Sequence, residues 1–323
     1  MKTIIIKFGG SSLADPGKIR RAAAMVIASA GKGFSPVAVV SAPADATDDL
    51  LALAAQAGGK KLSPRETDAL LAPGEQISAA LLALAIQAEG RKAVSLAGFQ
   101  AGLLTDAAFS SASVLKVDPS RLKAEISAGR IPVVAGFQGI TRKGDITTLG
   151  RGGSDFTAVA LARALRSALC EFRTDVKGIY TAHPAIVPGA RKISAITYGE
   201  VMTLAGLGTE VRQLRAIAYA GKYSIPLHLR SSFHDEPGTL VNADGGRPGV
   251  SCLSLSKEGR RALVSAVGRR LTRVHADRAL AAAGPGAAPA GFSASAVTLR
   301  VPAGRGEEAL RALHAAFFPG RPH

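Results

Sequence analysis

The sequence predicts an α/β fold: a mostly parallel sheet covered by helices on both faces, followed by a small α+β unit. Three observations carry this. Short β-like runs at 4–8, 37–41, 93–96, 131–135, 168–173 and 225–230 alternate with longer stretches. The stretches 16–31, 65–88, 154–167 and 208–221 repeat apolar residues at helical spacing. Such alternation marks a parallel sheet buried on both sides, which binds ligands at the carboxyl ends of its strands. The third observation is a pair of glycine turns placed at that edge, Gly9-Gly10 and Gly150-Arg151-Gly152-Gly153.

The chain has 323 residues, room for two domains and a large core. Hydrophobic residues make up 47%, which excludes a disordered chain. No apolar run reaches the ~18 residues of a membrane span, and Ile4 to Ile6 is too short for an export signal. The cytoplasm is the expected location and no membrane partner is expected. Cys170 and Cys252 match no metal or redox spacing and read as core thiols. Net charge is +16, but the basic pairs are short and aromatics are only 5%, with no Trp. A base-stacking platform for nucleic acid is therefore not expected; a basic surface that attracts anionic substrates is.

A boundary is expected near 242–249, giving domains 1–244 and 245–323. The second reads as strand 262–267, helix 272–283, strand 295–301 and helix 306–317, with a flexible, low-complexity segment at 284–291. Leu310, Leu313 and Phe317 form a helix face that could serve a dimer interface or plain core packing.

The glycine turns carry the chemistry. Lys7 ends a strand and points into Gly9-Gly10, where bare backbone can approach phosphate oxygens and the ammonium offsets their charge. A strand-end turn with a snorkelling lysine reads equally well from this motif alone. In Gly150-Arg151-Gly152-Gly153-Ser154-Asp155, Ser154 reads as the N-cap of a helix whose N-terminus favours anions. Arg151 can grip a carboxylate with two parallel hydrogen bonds. Asp155 falls in the first helical turn, where it could also simply complement the dipole. Glu75, Ser41 and Thr47 lie at element ends as site groups or as ordinary caps, and Thr174-Asp175 closes another strand.

Five blocks in order resemble the aspartate kinases of the amino acid kinase family: Lys7-Phe8-Gly9-Gly10-Ser11-Ser12, Gly74-Glu75-Gln76-Ile77-Ser78, Gly136-Phe137-Gln138-Gly139, Thr148-Leu149-Gly150-Arg151-Gly152-Gly153-Ser154-Asp155 and Arg173-Thr174-Asp175-Val176. The resemblance covers about residues 2–242 closely, and the tail is similar to one shortened ACT-type regulatory unit. It implies an amino acid kinase fold and transfer of the ATP γ-phosphoryl group to the β-carboxylate of L-aspartate, with Mg²⁺ as cofactor. Lys7 and Asp155 are then catalytic. Ser41, Thr47, Glu75, Arg151 and Ser154 bind the amino acid, and Lys7, Gly9, Gly10, Thr174, Asp175 and Tyr180 meet the nucleotide. A homodimer through the ACT-like region is implied as well. The chain departs from the pattern at Ala185, where the family carries an arginine, and at Glu210, where it carries a lysine. These changes keep open a weak or silent homologue that binds an amino acid or a partner subunit. The fold also leaves open another carboxylate, a carbamate or a phosphate as acceptor.

Overall fold

The structure is a computed structural model that describes residues 2–208 and 214–319. Two compact units emerge: Met1–Lys177 with Ile225–Glu236, and Gly178–Ser224 with Pro237–His323.

The first unit is organised by six parallel strands in the order Leu227–Ser231, Leu169–Thr174, Lys2–Phe8, Phe34–Val40, Ile131–Ala135, Ala93–Leu96. All six were legible as apolar runs, to within a few residues. Alternate side chains of a strand face opposite sides. Ile4, Ile6 and Phe8 meet the helices Pro16–Gly31 and Pro64–Ala88 in one core. The other face of the sheet is covered by the helix Gly153–Ala164. Pro64–Ala88 has the length and hydropathy of a membrane helix, but Leu82 and Ile86 are fully buried in this core and the helix also buries Asp68 and Glu75.

Four short strands escape the sequence reading: Leu103–Thr105, Val114–Val117, Gln138–Ile140 and Ile146–Thr148 form a second sheet. The last two make a hairpin that ends where the second glycine turn begins. The hairpin is tied to the long helix by Asp68, whose buried carboxylate accepts from Thr148 N (2.8 Å), Thr148 Oγ1 (2.8 Å) and Ser110 N (2.9 Å). The helix Ala46–Gly58 begins where Thr47 was read as a helix start, whereas Ser120–Ser127 was not anticipated.

In the second unit, Ala195–Thr197 pairs in parallel with Thr239–Asn242. An antiparallel sheet follows in the order Gly249–Glu258, Arg261–Arg269, Ala296–Pro302, Ala288–Phe292. Helices Arg273–Ala283 and Gly306–Phe317 pack on it. The expected strand–helix–strand–helix order is present with two further strands. One of them, Ala288–Phe292, lies in part of the segment expected to be flexible. It pairs with Ala296–Pro302 although all five of its residues are exposed. Leu310 and Leu313 are buried in this unit's own core, and Phe317 packs against it half-buried.

Asp68→Asn replaces an acceptor by an amide that turns N–H groups toward donors. Chemical denaturation is expected to show a loss of about 3 kcal/mol, with an unchanged m-value.

Candidate functional site

The site is built where Lys2–Phe8 ends. Lys7 is paired in register with Val39 on one side and Phe172 on the other. Parity turns it away from the face of Ile6 and Phe8, toward the helix Gly153–Ala164. There its Nζ lies 2.7 Å from Asp155 Oδ1, with both side chains more than nine-tenths buried. The contact is close but not aligned as a hydrogen bond, so it is an ion pair held by charge. Asp155 occupies the first turn of its helix, as expected.

Close backbone approaches bring the loops together. A Cβ on Gly10 would lie 2.7 Å from Ala42 O, so only glycine lets the first turn meet the loop after Phe34–Val40. A Cβ on Gly136 would lie 2.8 Å from Ser154 Cβ and 3.0 Å from Val40 O. Ser41 N donates to Phe8 O (3.2 Å) and Gly136 N to Val40 O (2.9 Å). Loops far apart in sequence thus converge at one sheet edge.

Two expectations change in detail. Ser154 is not the N-cap: left-handed Gly152 takes that place, and Ser154 is buried in the first turn. Gly9 N–H is already donated to Arg173 O (3.2 Å). A Cβ at Gly9 would stand 3.9 Å from both Arg173 O and Lys7 Nζ, an ordinary contact, so close packing does not demand glycine there.

Glu75 lies in the middle of Pro64–Ala88, two residues after the in-helix Pro73, not in a first turn. Its Oε1 accepts from Ala42 N (3.0 Å), while the buried Oε2 has no hydrogen-bond partner. Burial pushes its carboxyl up to about 7, against the pull of the Ala42 amide and the Lys7 charge. A buried acceptor with an open valence beside a lysine points to a donor-bearing ligand. Ser78 Oγ, one turn on along the same helix, is buried and unpartnered too.

Arg151 is exposed on the turn between left-handed Gly150 and Gly152. Ser41 follows directly on its strand, and Thr47 sits in the first turn of Ala46–Gly58; both are half-buried. Thr174 ends Leu169–Thr174 with its hydroxyl accepting from Val176 N (3.2 Å), and Asp175 is exposed. Tyr180 belongs to the second unit, with Lys192 Nζ 5.8 Å from its ring centroid. Ala185 is exposed on a turn of that unit. Glu210 lies outside the described residues. Among the described residues no cluster of three or more His, Cys, Asp or Glu could hold a metal alone.

Sequence reasoning missed the supports. Gln138 is fully buried, donates to Ala72 O (2.7 Å) and meets the Gln76 amide (3.0 Å), so it ties the Gly136 turn to the helix of Glu75. Phe137 beside it takes a left-handed conformation (φ 69°) that a bulky residue rarely adopts. Its N–H is satisfied by Thr157 Oγ1 (3.1 Å) and its carbonyl by Leu149 N (2.8 Å).

Comparison with known proteins gives a consistent family. The model of the amino acid kinase family matches residues 2–231. An aspartokinase of Mycolicibacterium smegmatis is 47% identical over 242 residues, which are 75% of this chain and 57% of that protein. The chain thus spans a little over half the length of that relative. The crystal structure of aspartate kinase from Synechocystis matches 99% of this chain and 70% of its own at 30% identity, with a TM-score of 0.67. E. coli aspartokinase III, solved in complex with aspartate and ADP, covers 98% of this chain and 100% of its own with a TM-score of 0.79. At 22% identity, that likeness speaks for the fold.

Two outcomes follow from the buried charges. Lys7→Met or Asp155→Asn, each alone, strands one charge and is expected to cost about 3 kcal/mol in equilibrium unfolding. The double variant should cost clearly less than the sum of the two, which a double-mutant cycle reads directly. Glu75 titrates near 7 when folded against 4.5 when unfolded. Its stabilising contribution is therefore full below 4.5 and lost as pH rises through 7. Relative to Glu75→Gln, wild-type unfolding free energy should fall by roughly 3 kcal/mol across that window.

Proposed function

The chain belongs to the amino acid kinase family, among the aspartate kinases, and from that premise we propose that it phosphorylates the β-carboxylate of L-aspartate at the expense of ATP. The observation that carries this reading is the buried Lys7–Asp155 pair lying next to the unpartnered carboxylate oxygen of Glu75. One end of that arrangement suits an anion in transfer, the other an ammonium.

The reaction needs few parts. A β-carboxylate oxygen attacks the γ-phosphorus and the bond from that phosphorus to the β,γ-bridging oxygen breaks, giving an acyl phosphate and ADP. The nucleophile is already ionised at neutral pH, so no general base is required. Catalysis is then positioning and charge compensation. Lys7 offsets charge on the moving phosphoryl group, and Asp155 fixes where Lys7 points. Glu75 receives the α-ammonium, and Arg151, free to swing on its glycine turn, takes the α-carboxylate. Ser41, Thr47 and Ser154 line the amino-acid side. Thr174 and Asp175 serve the nucleotide. Mg²⁺ would enter with the nucleotide and would supply charge compensation on the phosphates; Asp155 is the protein carboxylate that would hold it, since a cation brought in this way needs only one or two.

A hydroxamate assay with ATP, Mg²⁺ and aspartate tests the reading, because hydroxylamine traps only an acyl phosphate. Wild type should give signal. Arg151→Ala should raise the KM for aspartate by about 10- to 100-fold, the loss of a charge-assisted pair of hydrogen bonds. An inactive wild type that also fails to bind Mg-ATP would refute the assignment.

A further inference from the structure

Asp68 and Glu75 are both buried on the helix Pro64–Ala88. Seven residues separate them, so they share one face of the helix, about 10 Å apart along its axis. Glu75 keeps one oxygen open. Asp68 instead uses its carboxylate on donors from two loops. Its Oδ2 accepts from Thr148 N (2.8 Å) and Ser110 N (2.9 Å), and its Oδ1 accepts from Thr148 Oγ1 (2.8 Å).

Both partners bear on the same turn. Thr148 leads through Leu149 straight into Gly150-Arg151-Gly152-Gly153. Ser110, itself left-handed (φ 67°), stands against the first of these glycines: a Cβ on Gly150 would lie 3.1 Å from Ser110 O. Asp68 therefore holds the strand that enters the turn and the loop on which the turn rests.

A single tie would let the hairpin pivot, and a second one prevents it. Gln138 is the register partner of Thr148 across the hairpin. It donates to Ala72 O (2.7 Å) and accepts from Gln76 Nε2 (3.0 Å). Two opposed residues of the hairpin thus grip the same helix at points one turn apart, Asp68 and Ala72. Leu149 N then donates to Phe137 O (2.8 Å), which carries the pairing one step beyond the hairpin. The helix that carries Glu75 thereby sets the place and tilt of the turn that carries Arg151.

We propose that Asp68 is a positioning residue for the amino-acid acceptor: through Thr148 and Ser110 it fixes the spacing between Glu75 and the glycine turn of Arg151. This rests on the kinase reading above, in which those two side chains take the ammonium and the α-carboxylate of aspartate. An α-amino acid presents these two groups on one carbon, at a short and fixed separation. Its binding therefore depends on that spacing, whereas nucleotide binding does not.

The test uses full-length Asp68→Asn, Thr148→Val, Thr148→Ser and Arg151→Ala, with aspartate and ADP affinities measured by calorimetry. Asp68→Asn and Thr148→Val should each weaken aspartate binding about tenfold, the scale of a small misplacement, and leave ADP affinity within about twofold. Thr148→Ser keeps the hydroxyl donor and should bind aspartate as wild type does. In an Arg151→Ala background, Asp68→Asn should add little further loss, because its effect passes through that turn. Unchanged aspartate affinity in Asp68→Asn would overturn the proposal. So would equal losses of aspartate and ADP binding, the mark of general destabilisation, or full additivity with Arg151→Ala. A wild type that binds aspartate but gives no hydroxamate with ATP would refute the phosphotransfer reading instead, and the aspartate affinities would still decide the role of Asp68.

Discussion

A buried lysine needs an anion, and that requirement organises the first unit. Lys7 stands in the interior of a parallel sheet, where an isolated ammonium is intolerable. Asp155 is the partner that the fold supplies. To deliver it, the helix Gly153–Ala164 must start directly over the end of Lys2–Phe8, and its preceding turn must be compact. Glycines at 150, 152 and 153 allow this: two take left-handed backbone, and the third could not carry a Cβ without striking Phe137. The pair itself contributes little net stability, because desolvation consumes most of the attraction. In the kinase reading proposed above, its value is that the charge is already in place and already compensated before any substrate arrives.

The parts legible in the sequence were those with local signatures. The six main strands announce themselves because burial on both faces demands uninterrupted apolar runs. Lys7, Gly9, Gly10, Glu75 and Asp155 belong to contiguous motifs. The parts that stayed hidden act over distance or through backbone. Asp68 reads as one more acidic residue on a helix, and only the fold sets it against Thr148, 80 residues away. Gln138 is recognisable as a strut only once both its partners are placed. The strands of the second sheet are three or four residues long, too short for alternation to register. Ser154 was misread because a serine ahead of a helix is usually a cap, and left-handed Gly152 pre-empted it. Ala288–Phe292 carries no β-pattern at all; its pairing is decided by Ala296–Pro302 beside it.

The second unit shows the same lesson in its core. Its boundary looked natural at the glycine- and proline-rich stretch near 245, since composition changes there. Yet Ala182 and Val187 share a core with the helices Arg273–Ala283 and Gly306–Phe317, far later in the chain. Composition reports where the chain is flexible in isolation, not where apolar surface is spent. These two residues are buried because the sheet and helices behind 245 offer an apolar face that would otherwise be open. A tail that completes such a core cannot be read as an appendage.

Glu75 and Lys7 are compensated differently, and in the kinase reading proposed above that difference would let one site hold both an ammonium and a phosphoryl group without exchanging them. The two side chains are close enough that Lys7 lowers the carboxyl's titration, yet burial wins and leaves Glu75 near 7. In the absence of an amino acid, Glu75 is thus poised between its acid and its anion, and Lys7 is neutralised mainly by Asp155. Under the proposed kinase reading, an arriving α-ammonium would favour the anion of Glu75 and displace its proton, drawing the acceptor's positive end to the helix Pro64–Ala88. A carboxylate of the acceptor would then be directed toward the lysine, because it is repelled from Glu75 and attracted to Lys7. In that reading the ranking of these charges by burial separates the ammonium end from the carboxylate end, and Arg151 is what distinguishes the α-carboxylate from the β-carboxylate.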